Sequence, residues 1–152
     1  PNLSRFEDGP LGLSSRFELE FGYMSDNPSS FWTEPRLRGL ALGSDEWFLA
    51  QKQILRTKAP IRASYERWYD EQLKDLATAP AGGKVLELGS GAGFLKERLP
   101  EVITSDFVAG VAEHVIDARK LPFADASLRG ILMSHVFHHI PGGEAFFREA
   151  QR

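Results

Sequence analysis

The chain has 152 residues and a formal net charge of −3, and 42% of its residues are hydrophobic and 11% aromatic. This length and apolar content are sufficient for one compact domain with a buried core. The small negative charge excludes an overall positive field that would attract nucleic acid or an anionic membrane surface, so we expect neither as a partner. Cysteine is absent, which excludes disulfides and cysteine metal sites.

The N-terminal part predicts little regular structure. Residues 1–43 are rich in glycine, proline and serine, which is typical of an irregular lead-in. Within it Phe17, Leu19, Phe21 and Tyr23 alternate with other residues, and this period of two indicates a short strand or arm. Because the sequence has no run of about 18 apolar residues and no signal-like start, we expect a cytoplasmic protein.

Two helices are predicted over residues 44–80. Ser44 is a suitable N-cap, with acidic residues in the first turn after it, and the helix extends to about Lys58. A second helix begins near Pro60, since proline is tolerated in a first turn, and extends to about Ala77. The aromatic side chains of these helices indicate packing against a core.

Residues 81–152 alternate between strand and helix patterns, which predicts an α/β fold with a parallel sheet. We place the strands at 84–88, 102–105, 113–117 and 130–135. Only seven residues separate Ser105 from Glu113, fewer than a helical crossover needs, so a single turn or a loop is expected there.

The first of these strands leads into a turn with glycine at every second position, Gly89, Gly91 and Gly93. Glycine allows positive φ and a close approach of the backbone to a ligand. A short helix is predicted at 94–99, and this strand–turn–helix context favours a nucleotide-cofactor pocket. No Gly-Lys-Ser/Thr ending follows, which excludes a P-loop, and Phe94 stands where a dinucleotide fold needs its third glycine. A plain glycine-rich loop and a nicotinamide-dependent oxidoreductase stay open as alternatives.

At this point the sequence resembles a known family. Residues 87–93, ELGSGAG, resemble motif I of the class I S-adenosylmethionine-dependent methyltransferases, E/D-x-G-x-G-x-G. Residues 117–127, DARKLPFADAS, are similar to the family's D-A-x-x-L-P-F-x-D-x-S, and 138–141 and 147–152 resemble the next segments of its small-molecule branch. The resemblance covers about residues 84–152. It implies a Rossmann-like parallel sheet after an N-terminal helical segment, S-adenosyl-L-methionine as cofactor, and methyl transfer to a small-molecule acceptor by direct displacement.

The resemblance also implies the roles of residues beyond the turn. Asp106, after the second strand, accepts hydrogen bonds from both ribose hydroxyls, although a strand-end aspartate that caps a turn is the alternative. Phe107 lies against the adenine. Asp117 accepts from the exocyclic amine of the adenine and the Ala118 amide donates to a ring nitrogen, while Arg119 and the next lysine face solvent.

Further positions complete the predicted cofactor set. Glu87 provides a carboxylate for the cofactor ammonium, and the N-terminal helices would contribute either packing or an aromatic lid over the acceptor. The full set of predicted cofactor-binding residues is Glu87, Gly89, Ser90, Gly91, Gly93, Asp106, Phe107, Asp117, Ala118 and His135; the candidate lid residues are Tyr65, Trp68 and Tyr69.

Three histidines, His135, His138 and His139, cluster after the fourth strand. Their H-x-x-H-H spacing matches no standard metal geometry, so no metal is predicted. We expect His135 beside the methionine portion of the cofactor. All three are weak candidates for a general base, with His138 and His139 facing the acceptor proton or making a local hydrogen bond. Because a sulfonium is already activated, alignment can supply much of the rate and a dedicated catalytic residue is not required.

The chain ends at Arg152, just where the family continues into a fifth strand, so the C-terminal strands and much of the acceptor pocket are expected to be missing and the truncated chain inactive on its own. Four strands would leave the apolar segment 131–135 as an open edge, which predicts a homodimer or a strand swap through that edge, or coverage by the arm at 17–23. The alternative function is a non-catalytic nucleotide-cofactor-binding or assembly module.

Overall fold

The computed structural model describes residues 34–152, so the predicted strand or arm at 17–23 lies outside the described residues. Within this range the chain forms four α-helices, two short 3-10 turns and four strands. In chain order they are a 3-10 turn at Pro35–Leu37, α1 at Asp45–Thr57, α2 at Ala59–Thr78, β1 at Lys84–Leu88, α3 at Leu95–Arg98, β2 at Ile103–Asp106, β3 at His114–Val115, β4 at Leu128–Met133, a 3-10 turn at Phe137–His139 and α4 at Gly143–Gln151.

The two predicted N-terminal helices are confirmed with their start signals. The Ser44 side chain caps α1 by accepting a hydrogen bond from the Trp47 amide at 3.2 Å. Pro60 lies in the first turn of α2, where its missing amide hydrogen costs nothing. No helix formed by residues 34–152 is long and apolar enough to cross a membrane.

The sheet confirms the predicted α/β, Rossmann-like fold. All four strands are parallel, in the order β3-β2-β1-β4. Parallel strands present their carboxyl ends at one edge of a sheet, so the segments that follow β1, β2, β3 and β4 meet along that edge. In this part of the chain the connection between β2 and β3 contains no helix, as its length predicted.

Three of the four strands differ from their predicted bounds. β2 is Ile103–Asp106 rather than 102–105. β3 contains only His114 and Val115, because only these residues pair with β2. β4 begins at Leu128, which pairs with Lys84, and ends at Met133, so His135 lies two residues beyond the strand.

Side chains of the sheet pack on both faces, as expected for parallel strands whose successive residues point to opposite sides. One face packs against α2 and α3, and its buried residues are Tyr69, Leu76, Val85, Ala92, Phe94, Leu95 and Val102. The other face packs against α4, with Leu86, Leu88, Ile116, Leu121 and Phe146 buried. The core therefore includes the residues on either side of the glycine turn.

Helix α1 lies over the connection between β2 and β3. The Lys52 ammonium donates to the carbonyl oxygen of Val111, and a Cβ built on Gly110 would be 3.6 Å from Leu49. An N-terminal helix thus contacts the loop that takes the place of a crossover helix.

Candidate functional site

The glycine turn after β1 has a backbone that only glycine adopts easily. Gly89, Gly91 and Gly93 have φ of +63°, +47° and +72°. A Cβ on Gly89 would lie 2.2 Å from Val136 Cγ2, whereas a Cβ on Gly91 would meet only the Gly89 oxygen, at 3.8 Å. The turn is therefore packed closely against the segment after β4 at its start and open at its centre.

Two buried serines hold this turn against the end of β2. The Ser90 amide donates to the Ser105 carbonyl oxygen at 2.8 Å, and the Ser105 amide donates to Ser90 Oγ at 3.1 Å. The Ser105 hydroxyl donates to the Glu87 carbonyl oxygen at 2.8 Å. These bonds fix the predicted turn residue Ser90 beneath the open part of the turn.

Glu87 is a buried carboxylate, and among residues 34–152 only one of its two side-chain oxygens has a hydrogen-bond donor. Its side chain is 2% exposed, and the Tyr69 hydroxyl, itself 1% exposed, donates to Oε1 at 2.9 Å. Oε2 is buried and accepts no hydrogen bond from residues 34–152. Burial raises the pKa of Glu87 to about 7, although the nearby Ser90 hydroxyl and the hydrogen bond from Tyr69 act in the opposite direction. A cation placed at Oε2 would offset the cost of this burial.

The carboxylate of Asp106 lies at the end of β2 and faces the glycine turn. Its Oδ2 accepts from the Gly91 amide at 3.3 Å and its Oδ1 from the Val108 amide at 3.1 Å. The bond to Val108 is the turn cap that the sequence left open as an alternative. Each carboxylate oxygen can still accept a second hydrogen bond, so capping does not exclude a ligand. Phe107, next in the chain, is 42% exposed.

Asp117 follows β3 and forms a fork-like ion pair with Arg119. Arg119 Nη2 lies 2.7 Å from Oδ2 and Nε lies 3.0 Å from Oδ1, and the Arg119 amide donates to Oδ1 at 2.9 Å. Arg119 is only partly exposed, because its guanidinium holds the carboxylate and keeps the pKa of Asp117 below its usual range, whereas Lys120 is exposed as expected. Ala118 is half-buried against the second face of the sheet.

The strand order arranges these predicted residues along the carboxyl edge of the sheet. Asp117 follows β3, Asp106 ends β2, the glycine turn follows β1, and His135 follows β4. The structure brings Glu87, Asp106 and the turn into direct or near contact at the centre of this row. Asp117 and His135 follow the outer strands β3 and β4 and therefore lie towards the two ends of this edge.

The three clustered histidines occupy different places. His135 has φ of +59° and its ring centroid lies 4.5 Å from that of Trp68. His138 and His139 are on the 3-10 turn, with ring centroids 4.0 Å apart. The pKa of His139 is lowered mainly by burial and to a smaller extent by the neighbouring His138. Within the described range 34–152, no three histidine, aspartate or glutamate side chains are grouped to hold a metal ion.

Sequence reasoning missed two contacts from the N-terminal helices to the turn. The Tyr69 bond to Glu87 is one. The other is made by Arg56, whose Nη1 donates to the Ala92 carbonyl oxygen at 2.6 Å and whose Nη2 pairs with Glu97 at 2.9 Å. A signal for the first existed, because Tyr69 follows Tyr65 by about one helical turn and the aromatic side chains of this helix predict packing against a core.

Residues 86–152 match the family model described as a methyltransferase domain. The matched range begins inside β1 and includes the glycine turn, β2, β3, β4 and α4. No curated protein and no solved structure gives a significant match to the chain.

Proposed function

We propose that the chain, whose residues 86–152 match the family model described as a methyltransferase domain, binds S-adenosyl-L-methionine and transfers its methyl group to a small-molecule acceptor. The observation that carries the proposal is the buried Oε2 of Glu87, which has no hydrogen-bond donor among residues 34–152 and lies directly before an open glycine turn.

The residues present fit this cofactor. S-adenosylmethionine carries an ammonium group, which satisfies a buried carboxylate oxygen that lacks a donor. The space beside Gly91 allows an adenosyl amino acid to approach the backbone, because any side chain there would fill it. Asp106 would accept hydrogen bonds from the ribose hydroxyls with the capacity that its two backbone bonds leave.

The predicted adenine contacts depend on Phe107, which is exposed, and on Asp117, which is already paired with Arg119. Phe107 presents an exposed ring that can cover one face of the adenine. Asp117 already accepts four hydrogen bonds from Arg119, about the capacity of a carboxylate, so it would accept from the adenine amine in exchange for one of them.

When bound, the cofactor supplies a methyl group on a sulfonium, whose carbon–sulfur bond breaks with its electron pair left on sulfur as the acceptor atom bonds to the methyl carbon. The chain contributes orientation: the serine-anchored turn, Glu87 and Asp106 fix the two ends of the adenosyl amino acid. The proton of the acceptor passes to water or to an imidazole such as that of His135.

The test is calorimetric titration with S-adenosylhomocysteine, the demethylated product of the cofactor. We expect saturable binding to the unaltered chain and an affinity about 10- to 100-fold lower in Asp106→Asn, because hydrogen bonds to a charged acceptor are lost. Asp75→Asn is the matched control, since Asp75 is exposed on α2 away from the turn. Absence of binding, or equal binding by Asp106→Asn, would contradict the proposal.

A methyl-transfer assay separates an enzyme from a module that only binds the cofactor. Incubation with a methyl-labelled cofactor and a panel of small acceptors is expected to give a labelled product with the unaltered chain, or with a longer chain that continues beyond Arg152. Binding without transfer in both would support the binding module instead.

A further inference from the structure

A concave region that is open to solvent lies at the carboxyl end of β4, beside α2. It has a volume of about 300 Å³ and is lined by Trp68, Glu71, Gln72, Ser134 and His135. The helix side of this cavity lies outside the range that matches the methyltransferase family.

The main wall of the cavity is the indole of Trp68. It is 39% exposed, although its neighbour Tyr69 is fully buried. The ring of Tyr65 supports the indole at a centroid distance of 5.2 Å and the His135 ring lies edge-on to it at 4.5 Å, with an interplanar angle of 61°. A large aromatic side chain held in place and left accessible provides a flat surface for another ring.

The polar groups of the cavity are positioned by the protein. Gln72 Nε2 donates to the Met133 carbonyl oxygen at 3.0 Å and to Ser134 Oγ at 3.1 Å. Because Ser134 accepts from Gln72, its own hydroxyl hydrogen is left for another acceptor. His135 has φ of +59°, a region that side-chain-bearing residues rarely adopt, and its ring lies edge-on to Trp68.

The charge at the cavity rim is balanced. Glu71 is the carboxylate of the lining, and the Lys74 ammonium pairs with it at 2.7 Å. An acceptor that enters therefore meets an aromatic wall, a hydroxyl and an imidazole rather than an uncompensated charge, which favours a neutral ring over a cation or an anion.

The cavity is adjacent to the glycine turn. Val136, the residue after His135, is the side chain that a Cβ on Gly89 would meet at 2.2 Å. On the helix side, Trp68 lines the cavity and Tyr69 holds Glu87. The same two segments thus border both the cavity and the cofactor site.

We propose that this cavity binds the methyl acceptor and that the acceptor is a neutral aromatic ring with a hydroxyl group, an inference that rests on the proposed function. The ring lies against the Trp68 indole, and its hydroxyl donates to the imidazole of His135. Ser134 donates to the hydroxyl oxygen, and Gln72 fixes Ser134 in the required position.

The test is a titration of phenol into the isotope-labelled chain saturated with S-adenosylhomocysteine, followed by the nuclear magnetic resonance signals of the Trp68 indole N–H and the Gln72 side-chain amide. We expect both signals to shift saturably with phenol and less with cyclohexanol, which has the hydroxyl but no aromatic ring. Trp68→Leu is expected to lower the phenol affinity by roughly two- to tenfold, the size of an aromatic pair contribution. Trp47→Leu on α1 is the matched control and should leave the affinity unchanged.

Binding of S-adenosylhomocysteine is measured in the same samples, so the two proposals can fail separately. If the cofactor product binds normally while phenol leaves the Trp68 signal unmoved, or binds Trp68→Leu as well as the unaltered chain, the acceptor inference is overturned and the cofactor proposal stands. If S-adenosylhomocysteine does not bind the unaltered chain, both are overturned.

Discussion

At the scale of single residues, Glu87 combines features that are costly to keep without a ligand. It is buried, its pKa is raised to about 7 by that burial, and its Oε2 accepts no hydrogen bond from residues 34–152. Buried carboxylates are ordinarily paired, because an unpaired polar atom loses its hydration without replacement. A bound cation would offset the free energy that this arrangement costs.

The affinity for S-adenosylhomocysteine should therefore depend on pH through Glu87. Below its folded pKa of about 7 the carboxyl is protonated, so binding of the ligand ammonium must first release that proton. We expect the affinity to rise by up to about tenfold per pH unit on the acidic side and to level off above that pKa. Calorimetry across this range, in buffers of different ionisation enthalpy, measures both the affinity and the released proton.

Glu87→Gln provides the comparison, because it keeps the shape and the Tyr69 contact but cannot titrate. Its affinity should be low and nearly constant over the same range of pH. A variant that retains the pH dependence of the unaltered chain would show that another group is responsible.

At the scale of elements, α2 is an N-terminal helix that contacts the proposed cofactor site directly. Tyr69 reaches Glu87, Gln72 reaches the end of β4, and Arg98 of α3 donates to the Glu66 carbonyl oxygen of α2 at 2.9 Å. Deleting the Tyr69 hydroxyl would leave Oε1 of Glu87 without its donor while changing little of the packing.

Tyr69→Phe should lower the free energy of unfolding by about 1–3 kcal/mol, the cost of an unsatisfied buried acceptor. The measurement is urea unfolding of the variant beside Tyr65→Phe, a matched deletion from the same helix. The Tyr65 hydroxyl has no hydrogen bond to a carboxylate within residues 34–152, whereas the Tyr69 hydroxyl donates to Glu87. Loss of the Tyr65 hydroxyl should therefore cost much less. Equal destabilisation by the two variants would contradict a special role for Tyr69.

The elements themselves follow from local sequence signals, whereas the contacts between them do not. Ser44, Pro60 and the glycine turn predict helix starts and a strand end because each acts on neighbouring backbone groups. The Arg119–Asp117 pair was missed because a two-residue separation in a turn depends on backbone geometry that composition does not specify. Tyr69 and Glu87 are 18 positions apart, and only the packing of α2 on the sheet brings them together.

At the scale of the whole molecule, the sheet order leaves β4 paired on one side only among the described strands. It pairs with β1, and the residues of Leu128–Met133 are all partly exposed. The sequence predicted an open edge at this place, and the structure shows β4 at the end of the described sheet. The predicted covering arm at 17–23 lies outside the described residues.

We propose that this edge pairs with a second copy of the chain. Light scattering over a range of concentrations should show a dimer that dissociates on dilution, because unpaired strand edges associate. Hydrogen exchange at the amides of 131–135 should be slower in the dimer. A monodisperse monomer at all concentrations, with freely exchanging amides at 131–135, would contradict the proposal.

The central claim is that the glycine turn between β1 and α3 holds an adenosyl amino acid, and amide chemical-shift mapping with S-adenosylhomocysteine tests it most directly. We expect saturable shifts at Gly89, Gly91 and Gly93 and at Asp106, with little change in α4. Gly91→Val should abolish them, because valine disfavours φ of +47° and fills the open space, while the remaining spectrum stays that of a folded chain. Shifts concentrated away from the turn, or unchanged binding by Gly91→Val, would contradict the claim.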